Sequence, residues 1–177
     1  KNADGSINPN GEPLIDMDNV IDYAMVIFYG GNLDAAITWF GGDRWHNNWH
    51  GIRNRSGDEG FKFFIWDAEH TFLMESMNKG LHEDRTGPFP AGQQFGSSNP
   101  QWLWQQCLEN EEFRMRAADR THELFYGEGL LTPEAVRATV AKRMHEIESA
   151  VICESARWGD AARRDNPLNR DDHWRRE

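Results

Sequence analysis

"NNWHGIRNRSGDEGFKFFIWDAEHTF", residues 47–72, decides how this chain folds. "NWHGIRNR" and "FKFFIWD" are short and rich in aromatic and β-branched residues. "SGDEG", residues 56–60, separates them with glycines and acids. Two such runs around a Gly/Asp-rich break predict an antiparallel hairpin. Asp67 then falls at the C-terminal end of the second strand.

Upstream, "LIDMDNVIDYAMVIFYGG" predicts a helix. Val20, Ile21, Ala24, Ile27 and Phe28 recur at helical spacing. Asp16 is an N-cap type, and Gly30-Gly31 supplies the stop. Residues 1–13 hold Asn, Asp, Gly and Pro and read as a loop or linker. Asn32 to Asn47 reads as irregular.

Downstream, residues 78–100 form a long Gly/Pro-rich stretch. Such loops inside a domain are uncommon, and this one reads either as a lid over a site or as disorder. Three helices follow. Asn99-Pro100 opens the first with Pro at its first position. Asn110 caps the second. Thr132-Pro133-Glu134 opens the third, which runs toward Trp158-Gly159. Leu124 and Phe125, then Val136, Val140, Met144, Ile147 and Val151, supply apolar faces. Residues 161–177 are dominated by charge. The order helix, hairpin, long loop, helices gives an α+β domain, mostly helical, over residues 14–160.

The 177 residues suit one domain, and 38% hydrophobic with 27% charged is an ordinary globular balance. A formal charge of −10 disfavours nucleic acid or an anionic membrane as the main partner. It leaves an anionic small ligand open, because a local site and a metal can outweigh the global field. No apolar run reaches the ~18–20 residues of a membrane span. The chain starts at Lys1 with no Met or signal peptide, and both ends read as cut from something longer. Cys107 and Cys153 lack C-x-x-C spacing, so neither a zinc site nor a redox motif is readable. One disulfide and two reduced thiols both fit, and the compartment stays open.

The polar residues carry the functional question. Asp34, Asn48 and Asp67 offer carboxylate and amide oxygens, the hard donors that suit Mg²⁺ or Mn²⁺. Mg²⁺ is usually held by one or two carboxylates plus phosphate oxygens. A strand-end Asp with a loop Asn is such a partial site, and a further Asp can orient or deprotonate a hydroxyl. Protein kinases divide this labour the same way and in the same chain order. The ordinary reading of loop acids and asparagines is turns and caps. There is no H-R-D and no D-F-G, and the path from Asp34 to Asn48 is longer than in kinases.

"LIDMDNVIDY", "GGNLD", "NNW", "FFIWDAEHTF" and "ESARWGD" together resemble the CotH kinase family of atypical protein kinases, over roughly residues 14–160. The resemblance implies an atypical protein-kinase-like C-lobe with a small β-hairpin. It implies transfer of the ATP γ-phosphoryl group to protein Ser or Thr, with Mg²⁺ or Mn²⁺. Asp34 of "NLD" matches the catalytic Asp. Asp67 of "WD" matches the metal-binding Asp, and Asn48, or less directly Asn47, the metal-binding Asn. Glu69 fills the second acidic position of W-D-x-D/E as a further ligand or its support. Asn32 orients the loop, and Trp66 packs to position Asp67. A cell-surface, secreted or spore-associated bacterial setting is also implied. The family's nucleotide-binding portion would precede residue 1, so the lobe alone can be inactive. "GSINPNG" is no phosphate loop, since it lacks a basic partner and a strand–helix signal.

Two other classes stay open. The tryptophans, eight in all, suit a carbohydrate-binding or scaffolding module. Asp34 with Asp67 or Glu69 suits a glycosidase pair. Trp39, Trp45 and Trp49 read as core or pocket wall. His46 and His50 have the i, i+4 spacing of a helical zinc pair, but the stretch reads as extended, so they read as surface or hydrogen-bonded histidines. Arg53 and Arg55 read as solvated hairpin arginines. Arg157 before Trp158-Gly159 reads as a helix-terminal cation.

Overall fold

The computed structural model describes residues 10–32, 34–36, 48–72, 84–88 and 100–176. Asn47, Trp39, Trp45, His46 and most of the 78–100 stretch lie outside the described residues. The chain falls into two compact units, Lys1–His122 and Glu123–Glu177.

The first unit is built on α1, Met17–Gly30. Asp16 caps it as expected: its side chain accepts from the Asn19 N–H at 3.0 Å. Gly31 ends it in the left-handed conformation (φ 56°), donating its N–H back to the last turn. Val20, Ile21, Tyr23, Ala24 and Ile27 are buried on one face. They meet Trp104 of α2 (Pro100–Leu108) and Phe113 and Ala117 of α3 (Glu111–Phe125). Asn110 caps α3, accepting from the Phe113 N–H at 3.1 Å.

The hairpin forms where its residues predict, with shorter strands. β1 is Trp49–Ile52 and β2 is Lys62–Ile65, antiparallel, with Trp49 opposite Ile65 and Ile52 opposite Lys62. Phe63 and Trp49 pack against the core with ring centroids 5.7 Å apart. Ile15 bridges in parallel to Phe61 on the other side. This contact needs Gly60, whose Cβ would lie 2.4–2.6 Å from the backbone of Ile15 and Asp16. Arg53 departs from the solvated reading: it bonds Glu12 at 2.8 Å and the Glu59 carbonyl at 3.2 Å. Arg55 is exposed.

Two long-range polar links position these pieces. Asn19 on α1 accepts from the Phe63 N–H at 2.5 Å and donates to its carbonyl at 3.2 Å. The inner strand is thereby clamped to the helix. Asn19→Ala leaves both Phe63 groups unpaired in a half-buried place. The expected cost is about 1–3 kcal/mol, read as a lower urea midpoint at unchanged slope. A loss under about 0.5 kcal/mol, the ordinary surface range, contradicts the clamp.

Forked ion pairs join α1 to α3. Arg116 grips Asp18 at 2.6 and 2.5 Å, and Arg120 grips Asp22 at 2.7 and 3.0 Å. Both helices advance four residues per pair in the same sense, so they run alongside in the same direction. The Arg116 guanidinium holds Asp18 below the usual carboxylate range.

In the second unit, Thr132 caps α4, Pro133–Ala162, with Pro133 in its first turn. The helix passes through Gly159 rather than stopping there. Val136, Val140, Met144, Ile147 and Val151 all lie on this helix and stay partly or largely exposed, and Gly159 is the buried residue of α4. The C-terminal segment folds back at that glycine. The Leu168 N–H donates to the Gly159 carbonyl at 3.1 Å, and a Cβ on Gly159 would lie 2.2 Å from the Leu168 carbonyl oxygen. A π-helical turn, Arg170–Trp174, follows, and Arg175 bonds Glu148.

Gly159→Ala forces that carbonyl away. We expect the C-terminal segment to loosen, at about 1–3 kcal/mol for overpacking against backbone. Limited proteolysis should then cut within residues 163–176 first. An unchanged cleavage pattern contradicts the docking. Arg157 lies over the Trp158 ring at 4.9 Å, a cation–π contact rather than a cap. Cys107 and Cys153 are free thiols. Among the described residues no helix is long and apolar enough to cross a membrane.

Candidate functional site

The site lies just past the C-terminal end of α1. The left-handed turn at Gly31 redirects the chain, and Asn32 and Asp34 follow at once. Both are buried, at 2% and 8% exposure. The Asn32 side-chain oxygen accepts from the Asp34 N–H at 3.1 Å. That local turn bonding is a usual asparagine role, and here it fixes where the Asp34 side chain starts.

Asn48 stands at the foot of β1. Its Nδ2 donates to the Asp34 carbonyl at 3.0 Å and to Asp34 Oδ2 at 2.6 Å. Both neighbours can only accept, so the amide end facing them must be the NH₂. The Asn48 oxygen is therefore left for another donor or a cation.

The hairpin register brings in Asp67. With Trp49 opposite Ile65, Asn48 faces Trp66, and the Trp66 N–H donates to the Asn48 carbonyl at 3.0 Å. Asp67 is the next residue, two past the end of β2 rather than on it. The chain then returns to α1. The Phe72 N–H donates to the Gly30 carbonyl at 2.8 Å, and the Phe72 ring meets Tyr29 edge-on at 5.7 Å. Phe72 and Tyr29 anchor the segment but carry no sequence signal for it.

Asn48, Asp67 and Phe72 have φ of 59°, 53° and 56°. Among the described residues they are the non-glycines in the left-handed region, and all three lie here. Asparagine and aspartate enter that region readily, whereas Phe72 holds it only where its surroundings impose it, and such residues gather at functional sites.

Asp67 is exposed, and its carboxyl is pushed above the usual range by the negative charge of Glu69 beside it, then by their hydrogen bond. Glu69 lies 3.4 Å from the His70 ring nitrogen. Two neighbouring carboxylates that repel one another are a setting a cation relieves. The C-terminal end of α1 adds a partial negative charge. Among the described residues no group of three or more His, Cys, Asp or Glu is placed to hold a metal ion. The oxygen donors available here are the Asp67 and Glu69 carboxylates and the Asn48 amide oxygen. This fits an open site completed by phosphate and water, not a closed cage.

Trp66 does not pack inward. It is 62% exposed and meets His50 edge-on at 5.5 Å. The structure thus joins Asn32, Asp34 and Asn48 directly, the hairpin register puts Asp67 next to the residue paired with Asn48, and Glu69 is linked to Asp67.

A family model described as CotH kinase protein matches residues 4–176. No curated protein and no solved structure gave a match.

Proposed function

The chain belongs to the CotH kinase family, and from that premise we propose that residues 32–69 form the catalytic half of a kinase-like phosphoryl-transfer site. The donor is ATP and the acceptor a protein Ser or Thr hydroxyl. The observation that carries the reading is the bond from Asn48 to the Asp34 carboxylate, with Asp67 set beside Asn48 by the hairpin register.

Asp34 accepts or orients the hydroxyl proton, and Asn48 and Asn32 fix its direction. Asp67, the Asn48 oxygen and Glu69 would hold Mg²⁺ or Mn²⁺, with Asn47 next to them in sequence. That ion would neutralise charge on the transferred group. The kinase-like C-lobe is the fold this reading assigns to the first unit. Holding a base, an amide and an acid just beyond a strand in one place is most of what such catalysis asks of a protein.

A glycosidase pair needs one carboxyl raised inside a pocket. Asp67 is raised in the open by Glu69, which argues against that role. A carbohydrate platform has Trp66 in its favour, yet does not explain three left-handed residues around acids.

Calorimetric titration with Mg²⁺ and Mn²⁺, with and without ATP, tests the proposal. The expected result is metal binding strengthened by ATP and abolished in Asp67→Ala. Equal binding by both proteins removes Asp67 from the metal site. No metal binding, with or without ATP, removes the metal site formed by Asp67, Asn48 and Glu69 from this reading.

A further inference from the structure

α4 carries an apolar stripe that the described structure leaves open. Val140 and Ile147 are 47% and 49% exposed, and Met144 and Val151 are half-buried. Their spacing of four, three and four residues is a heptad seam along one face. The adjoining face is occupied by the C-terminal segment, through Arg175 on Glu148 and Leu168 on Gly159. The seam runs beside it. Among the described residues nothing covers Val140 and Ile147, while at its C-terminal end Val151 and Glu154 border the groove that α4 forms with Leu168, His173 and Trp174.

Charge says what fits there. The N-terminal half of α4 carries Arg137, Lys142 and Arg143 against Glu134. The C-terminal half carries Glu146, Glu148, Glu154 and Asp160 against Arg157. A second α4 laid antiparallel sets basic half on acidic half. A parallel one stacks like on like.

Antiparallel heptads meet layer by layer. With the two-fold axis between His145 and Glu146, Met144 meets Ile147 of the partner subunit. Val140 then meets Val151 of the partner subunit, and Arg137 meets Glu154 of the partner subunit. Four apolar layers are closed at each end by an Arg–Glu layer, over about 25 Å of helix. Among the described residues Arg137 and Glu154 have no ion-pair partner, whereas Arg143 is held by Glu146 and Glu148 by Arg175.

We propose that α4 is a homodimerisation helix. It pairs antiparallel with α4 of a second copy of this chain along Val140, Met144, Ile147 and Val151, and Arg137–Glu154 pairs fix the register. The interface is isologous, as a two-fold requires.

Sedimentation velocity of the full chain, from about 1 to 500 µM, tests it. The expected result is a monomer giving way to a dimer within that range. Ile147→Glu should stay monomeric throughout. Arg137→Glu or Glu154→Arg alone puts like charges in both end layers and should weaken the dimer about tenfold or more. The double variant should recover it. These side chains are exposed, and circular dichroism confirms that each variant keeps its helix. A wild-type monomer over the whole range overturns the proposal. So does a dimer that Ile147→Glu or the single charge swaps leave unchanged.

Discussion

Asp34→Asn is expected to lower kcat by about 10²- to 10⁴-fold, the span of a lost general base, at nearly unchanged KM. The substitution keeps size and shape. The Asn48 NH₂ can still donate to the new side-chain oxygen where it now donates to Oδ2 at 2.6 Å. The Asn32 bond to the backbone N–H of residue 34 does not depend on the side chain. With its oxygen held by Asn48, the new amide turns an NH₂ toward the place where a hydroxyl proton must go. It can neither take that proton nor accept a hydrogen bond there. Mg²⁺ and ATP titrations should match the wild type, because the proposed metal donors are Asp67, Asn48 and Glu69. A variant that keeps its kcat removes Asp34 from the chemistry. One that loses metal binding in proportion to activity reassigns Asp34 to the metal.

What the sequence discloses about this molecule is what local chemistry decides. Asp16, Asn110 and Thr132 cap helices because a cap is settled within three residues. The Gly/Asp break at 56–60 makes a hairpin for the same reason. The register then follows, and with it the pairing of Asn48 with Trp66. The clamp from Asn19 to Phe63 spans 44 residues, and the forks from Asp18 and Asp22 to α3 span 98. Nothing in the spacing of either partner announces such links. Trp66 shows a different limit. A tryptophan beside a functional acid suggests packing, but alternation along β2 decides which face it takes, and it faces solvent. On α4 the apolar period is real and the helix is real. Periodicity marks a face without saying what will cover it.

Asp67→Asn should separate function from stability, because the site carries like charges in close company. The folded carboxyl of Asp67 titrates above its ordinary value, chiefly through the charge of Glu69. The native state therefore binds this proton more tightly than the unfolded chain does. Protonation favours the fold below the unfolded pKa of about 3.9. That advantage is lost as pH rises through the raised value, and above it two carboxylates repel. A neutral amide in place of the carboxylate removes the repulsion, and asparagine accepts the left-handed φ of 53° as readily as aspartate. The melting temperature at pH 7 should equal or exceed that of the wild type, and its fall from about pH 4 upward should flatten. Metal affinity should drop by more than roughly 100-fold, since even outer-shell partners of metal ligands are worth 10- to 100-fold. Calorimetry and a melting series across pH read both effects on one sample. A variant that melts lower at pH 7 and binds metal as before makes Asp67 a structural residue. One that melts higher and binds no metal shows a site that gives up stability to hold a cation, as functional acids commonly do.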